Sequence, residues 1–141
     1  MRALGIDLGS KRIGVAVSDR SGTIATPLVV VLRSGDRARD HRRLAELVAE
    51  EEAERMVIGL PLSLDGSMGP AALAAVAEAE EIASVVGVPV ETFDERLTTV
   101  SAQRSLIEAR MSREARRRLV DKVAAAVMLQ TWLDGRAGGR R

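Results

Sequence analysis

The sequence has no cysteine, one histidine (His41) and two aromatic residues, Phe93 and Trp132. Without cysteine there is no disulfide and no thiolate metal site. A single histidine is too little for a His-built metal centre or a Ser-His-Asp triad. Any metal bound here is therefore a hard ion held by oxygen. Two aromatics do not furnish the stacking platforms used to bind single-stranded nucleic acid. No apolar run is long enough to span a bilayer, and the chain opens into a strand without a signal-peptide pattern. The expectation is a soluble cytoplasmic domain with no membrane partner. Net charge is also nearly absent: 21 Lys and Arg face 20 Asp and Glu, so the total says nothing about a polyanionic partner. A chain of 141 residues fits one domain that buries roughly two-thirds of its unfolded surface.

What is present starts with the first strands. Residues 3–8 and 13–18 alternate with period two around Gly9-Ser10-Lys11-Arg12, the pattern of a β-hairpin. A turn centred on Ser10-Lys11 sets Leu8 opposite Ile13, Asp7 opposite Gly14, Ile6 opposite Val15, Gly5 opposite Ala16 and Leu4 opposite Val17. One face then carries Leu4, Ile6, Leu8, Ile13, Val15 and Val17. The other carries Ala3, Gly5, Gly14, Ala16 and Ser18, with one carboxylate, Asp7. An acid among groups that neither hydrate it nor fill space around it needs a partner, and a cation is the simplest one.

Farther along, Ser21-Gly22 marks a turn and residues 24–32 read as a third, β-branched strand. Asp40 is placed to cap a helix to about residue 54, with Leu44, Leu47 and Val48 on its apolar stripe and His41 solvated in its first turn. Residues 55–59 form a short apolar strand of the kind covered on both faces. A loop follows, and Pro70 suits the first position of a helix to about residue 86. Residues 88–93 make a last strand. Thr98 or Thr99 caps a helix to about residue 109, and Ser112 caps one running to Leu133, where Gly135 stops it. The expected fold is α/β: a mixed five-stranded sheet, three antiparallel strands followed by two βα units, flanked by helices.

Acids recur at the places this fold brings together. Asp121 shares a helical stripe with Ala125, Met128 and Trp132, at offsets of four, seven and eleven. The neighbouring Ala124-Ala125-Ala126 permits close approach to the small face that carries Asp7. An ion pair with a nearby arginine accounts for Asp121 equally well. Asp94-Glu95 lies just past a strand end, where open α/β sheets place functional groups, and alternation does not decide between the two. Three such carboxylates either share a proton or bind divalent ions. The second suits chemistry without histidine, since two ions about 4 Å apart activate water and stabilise a leaving oxygen in phosphodiester cleavage. Arg104, Arg110, Arg113, Arg116, Arg117 and Arg118 cluster near the start of the last helix, where cations oppose its dipole. Phosphate contacts explain them, and so does a solvated face.

Four ordered motifs carry a resemblance. Gly5-Ile-Asp-Leu-Gly-Ser-Lys-Arg-Ile-Gly-Val-Ala-Val-Ser-Asp19, Ile58-Gly-Leu-Pro-Leu62 with Asp65-Gly66-Ser67, Asp94-Glu-Arg-Leu-Thr-Thr99, and Asp121 ahead of Ala124-Ala-Ala-Val-Met-Leu-Gln130 resemble the YqgF (RuvX) family. That family is associated with pre-16S rRNA nuclease activity and was formerly assigned to Holliday junction resolution. The resemblance implies an RNase H-like fold akin to RuvC and a divalent-metal-dependent endonuclease, active in ribosome biogenesis at the 5′ end of the 16S rRNA precursor. It implies Asp7, Glu95 and Asp121 as catalytic, metal-binding acids, with Mg²⁺ or Mn²⁺ as cofactor. Glu95 in preference to Asp94 rests on the resemblance alone. Lys11, Arg12, Arg96, Arg113 and Arg117 are candidates for holding substrate phosphates. Residues 1–134 are expected to form the nuclease domain and 135–141 a flexible basic tail.

Partners follow from the same reading: precursor rRNA, or branched DNA if the chain is a junction resolvase. Resolvases of this fold act as symmetric dimers because a junction presents two related strands, so a homodimer is one expected assembly. The loop at 60–69 either gates the cleft or is a plain connection. Two rivals stand beside the nuclease. The Ile6-Asp-Leu-Gly-Ser10 segment resembles the first phosphate loop of actin-like and sugar-kinase ATPases, which need a second domain and a second phosphate loop not found here. A non-catalytic nucleic-acid-binding module would keep the acids only as a structural cation site.

Overall fold

The computed structural model describes residues 1–63, 65–95 and 113–139, and within the last of these the side chains of 123–136. Among the described residues five strands and three helices follow in chain order: β1 (Ala3–Leu8), β2 (Arg12–Ser18), β3 (Ala25–Leu32), α1 (Arg37–Glu50), β4 (Arg55–Leu60), α2 (Pro70–Val86), β5 (Val90–Asp94) and α3 (Arg113–Gly139). The sheet runs β3-β2-β1-β4-β5. β1 pairs antiparallel with β2 and parallel with β4, and β4 pairs parallel with β5, which is the mixed sheet the element order implies.

The hairpin register is the one its alternation dictates, from Leu4 opposite Val17 to Leu8 opposite Ile13. At the turn the Gly9 N–H donates to Arg12 O at 2.9 Å. β3 forms one edge, and its pairing with β2 shifts between Val15 and Ala16, where Pro27 stands opposite Ala16. A proline is tolerated at an edge because the missing donor leaves no inner ladder bond unmade.

Each face of the sheet has its own core. The large aliphatics Leu4, Ile6, Ile13, Val15 and Ile58 pack against Leu44, Leu47 and Val48 of α1 and against Ala79, Ile82 and Val86 of α2. On the small face Ala3, Ala16 and Val57 pack against Ala125, Met128, Leu129, Trp132 and Leu133 of α3. Gln130 ties that helix to the approach of β3, accepting from Ala25 N and donating to Thr23 O, both at 2.9 Å.

Three local expectations are corrected. Helix α1 begins at Arg37 with Asp36, not Asp40, as its cap: the Asp36 carboxylate accepts from Arg39 N at 3.2 Å. Asp40 is buried one turn inside, where it accepts from Ser34 N. His41 is buried rather than solvated and lies 2.7 Å from Glu78 Oε2. Its spacing of three and seven to Leu44 and Val48 puts it on the core stripe, and a buried imidazole requires such a partner. Helix α3 passes through Gly135 to Gly139 instead of stopping. A helical glycine costs only about 1 kcal/mol, and Arg136 stacks over the Trp132 ring, 4.8 Å from its centroid. The expected helix at 98–109 and the Ser112 cap lie outside the described residues.

Candidate active site

Asp7 sits on the small face of β1, the central strand, and is 9% exposed. Its cross-strand partner on β2 is Gly14, and two residues earlier Gly5 pairs with Ala16. On the other side of β1, Ile6 is in register with Ile58, so the next residue of β4, Gly59, continues the row beside Asp7 on the same face.

Gly59 is where the second acid enters. A Cβ built on Gly59 would fall 2.5 Å from Glu95 Oε1 and 2.8 Å from its Cγ. The Glu95 side chain therefore folds back from the end of β5 and lies over Gly59, on the small face and one strand from Asp7. Asp94, by contrast, ends β5 in register with Leu60, whose pleat belongs to the large face. Alternation does not follow the chain past residue 93; the contact with Gly59 puts the Glu95 side chain on the small face, while Asp94 stands in register with Leu60.

Helix α3 carries Asp121, the third expected acid. Over Gly5 it comes so close that a Cβ there would sit 2.7 Å from Leu129 Cβ and 3.2 Å from the Ala125 carbonyl oxygen. Toward the start of β1, Leu133 and Met1 line one cleft with Gly22. The helix therefore runs back along β1, its C-terminal half over the strand's beginning. From Ala125 to position 121 the helix axis advances about 6 Å at 1.5 Å per residue. From Gly5 to Asp7 the strand advances by about the same amount. The backbone at 121 is thereby carried toward the Asp7 end of the strand. The Asp121 side chain lies outside what is described. Among the described residues, which leave out the Asp121 side chain, no three His, Cys, Asp or Glu side chains group to hold a metal ion.

The basic candidates divide. Lys11 is exposed at the tip of the turn, and Arg12 opens β2 half-buried beside it. Arg113 and Arg117 lie in the first turns of α3 with undescribed side chains, and Arg96 lies outside the described residues. In the loop after β4, Ser67 N donates to Asp65 Oδ1 at 2.9 Å and Gly66 N to Ser63 O at 2.8 Å, a tight local turn.

Sequence reasoning missed Gly59 as the cradle of a carboxylate, although a glycine inside an otherwise large-residue apolar strand signals close approach. It also missed the Arg33–Glu78–His41 cluster on the opposite face. There burial pushes the Glu78 carboxyl up, while hydrogen bonds from Arg33 and His41 and the charges of Arg33 and Arg37 more than reverse this and hold it below 4.5.

A mixed sheet of this order, three antiparallel strands followed by two parallel ones, has the RNase H-like architecture. Thermus thermophilus RuvC, solved in complex with a Holliday junction substrate, superposes with a TM-score of 0.61 at 20% identity over 98% of this chain and 97% of that one. A second Thermus thermophilus RuvC structure gives 0.56 at 19% identity over 98% of this chain and 97% of that one. At such identities the likeness speaks for the fold. The chain belongs to the RuvX family, whose model, described as Holliday junction resolvase, matches residues 1–135. Among its relatives is a Mycobacterium sp. (strain KMS) protein named "Putative pre-16S rRNA nuclease", 52% identical over 136 residues, 96% of this chain and 80% of that protein. A protein of the same name from Myxococcus xanthus (strain DK1622) is 49% identical over 134 residues, 95% of this chain and 88% of that one.

Proposed function

We propose that this chain is a divalent-metal-dependent endonuclease that hydrolyses phosphodiester bonds in structured RNA, processing the 5′ end of the 16S rRNA precursor in the cytoplasm. The observation that carries the reading is the Glu95 carboxylate lying over Gly59 on the face and row of Asp7. Two acids gathered on a face of small residues, with the backbone of a third directed to the same end, form a donor set made only of oxygen. Such a set fits Mg²⁺ or Mn²⁺. Asp7, Glu95 and Asp121 are the residues that would hold the ions. When bound, the ions supply activation of the nucleophile and neutralise charge developing on the phosphodiester.

The chain's own residues do the rest. Asp7, fixed on the central strand, provides the immobile carboxylate around which the site is built. Glu95, just past the end of β5, closes it by reaching over the intervening strand β4 at Gly59. Lys11, Arg12, Arg96, Arg113 and Arg117 hold substrate phosphates, a sequence-independent grip suited to a substrate recognised by shape. Residues 1–134 act as one nuclease domain, and no described helix is long and apolar enough to cross a membrane.

A second reading, resolution of branched DNA by a homodimer, is supported by the family description and by the RuvC-like fold. One experiment addresses both. A single preparation is offered precursor rRNA and a four-way junction with Mg²⁺ or Mn²⁺, with EDTA and Asp7→Asn as controls. Cleavage of the precursor at its 5′ end, lost in both controls, is expected. Preferential junction cleavage selects the second reading, and normal cleavage by Asp7→Asn removes both.

A further inference from the structure

The turn that follows Asp7 is held from the opposite side of the sheet. Arg33, the first residue past β3, meets that turn twice: its backbone N–H donates to Lys11 O at 2.9 Å, and its Nε–H donates to Gly9 O at 2.7 Å. Its two remaining nitrogens donate to the two carboxylate oxygens of Glu78, at 2.8 and 2.9 Å. Glu78 Oε2 lies 2.7 Å from His41 Nε2 and 3.8 Å from the Arg37 guanidinium. Both Glu78 and His41 are buried, at 6% and 3% exposure.

Stability alone is a poor reason for this cluster. Desolvating a carboxylate and a guanidinium costs several kcal/mol, and well-packed apolar residues commonly serve as well. What apolar packing does not provide is a directional side-chain hold on the Gly9 carbonyl oxygen, beside the backbone bond to Lys11 O that any residue but proline would keep. Gly9 and Lys11 are two residues apart, and clamping both fixes the path of the chain between β1 and β2. The turn is already tight, since a Cβ at Gly9 would run into the Arg12 carbonyl oxygen. Lys11 stands at its tip and lines, with Ser10, Arg33, Gly35 and Arg37, an open cleft of about 340 Å³.

We propose that Arg33, braced by Glu78 and His41, is a positioning residue that sets the 9–12 turn so that Lys11 meets a phosphate of the nucleic-acid backbone. The inference rests on the nuclease reading above and deepens it. A planar fork that contacts Glu78 and Gly9 at once is available to arginine and not to lysine, whose ammonium is a single point.

The test uses the full chain, with the precursor rRNA or junction that the wild type cleaves. Arg33→Lys keeps a charge for Glu78 but gives up the bond to Gly9 O. KM is expected to rise about three- to tenfold, with kcat within about twofold, because a binding contact and not the chemistry is disturbed. In a Lys11→Ala background the same change is expected to add less than about twofold, since the contact it positions is already gone. Arg33→Met combined with Glu78→Gln removes both charges together and leaves His41 an acceptor. It carries the test should Arg33→Lys melt early, and the same rise in KM is expected from it. Unchanged KM in the folded variants, effects that multiply fully with Lys11→Ala, or a loss confined to kcat each overturn the inference and leave the nuclease reading standing. A wild-type chain that neither binds nor cuts nucleic acid overturns the nuclease reading and this inference with it.

Discussion

The two faces of the central hairpin are made from the same residues in alternation, and they do opposite things. On one face Leu4, Ile6, Ile13 and Val15 meet two helices through large side chains and are fully buried. On the other, Ala3, Gly5, Gly14 and Ala16 give almost no side-chain volume, and α3 is drawn down until Leu129 and Ala125 touch the backbone at Gly5. Large residues set a helix about 10 Å from a sheet, whereas small ones allow closer approach. The price of the close face is less apolar area per residue. Its yield is room on the strand face, where Gly14 stands opposite Asp7 and Gly59 lies under the Glu95 side chain.

That contrast can be broken at either side. The largest effect is expected from Asp7→Asn, which should lower kcat about a hundredfold or more while leaving the melting temperature close to wild type. Cleavage assays paired with thermal melts check this. Ile58→Ala, on the large face, should do the reverse. A loss of about 2–5 kcal/mol in urea unfolding is expected from the missing methylenes and the cavity, with cleavage per folded molecule unchanged.

Gly5→Ala tests how close the helix lies. Its Cβ would stand 2.7 Å from Leu129 Cβ and 3.2 Å from a backbone oxygen, contacts that do not yield without moving α3. A destabilisation of about 1–3 kcal/mol is expected by denaturant titration. Gly59→Ala should instead spare stability, because the atoms it meets belong to the end of the Glu95 side chain, which can swing away. Activity should fall about tenfold as the carboxylate is displaced, with little change in unfolding midpoint.

The smallest effect concerns acid. Glu78 titrates below its ordinary value of 4.5 in the folded chain. Its ion pairs therefore add stability that is fully present above 4.5 and is lost as the pH falls below that value through the folded pKa. The stability of the wild type should thus decline more steeply below pH 4.5 than that of Glu78→Gln, as followed by circular dichroism at several pH values.

Much of this contrast is legible in the residues. Period-two alternation assigns each hairpin side chain to a face, and the observed pairing from Leu4–Val17 to Leu8–Ile13 follows from it. Pro70 and Gly87 bound α2 as their backbone preferences require. Asp7 is conspicuous because it is the one charge on a face of small residues. His41 and Glu78 were legible in principle, since His41 shares its stripe with Leu44 and Val48, and Glu78 shares one with Ala75 and Ile82. Polar residue type argues for a solvated His41 against that spacing, and its burial reverses the expectation.

The sequence by itself determined the strand register, the division into a large and a small face, and the identity of the acid on the central strand, because alternation and turn chemistry act between near neighbours along the chain. Only the tertiary structure decided that Glu95 and not Asp94 folds over Gly59, that α3 runs back along β1, and that Arg33, Glu78 and His41 meet behind the turn. Those outcomes depend on which strands become neighbours and how closely a helix can settle on them, and no local pattern carries that information.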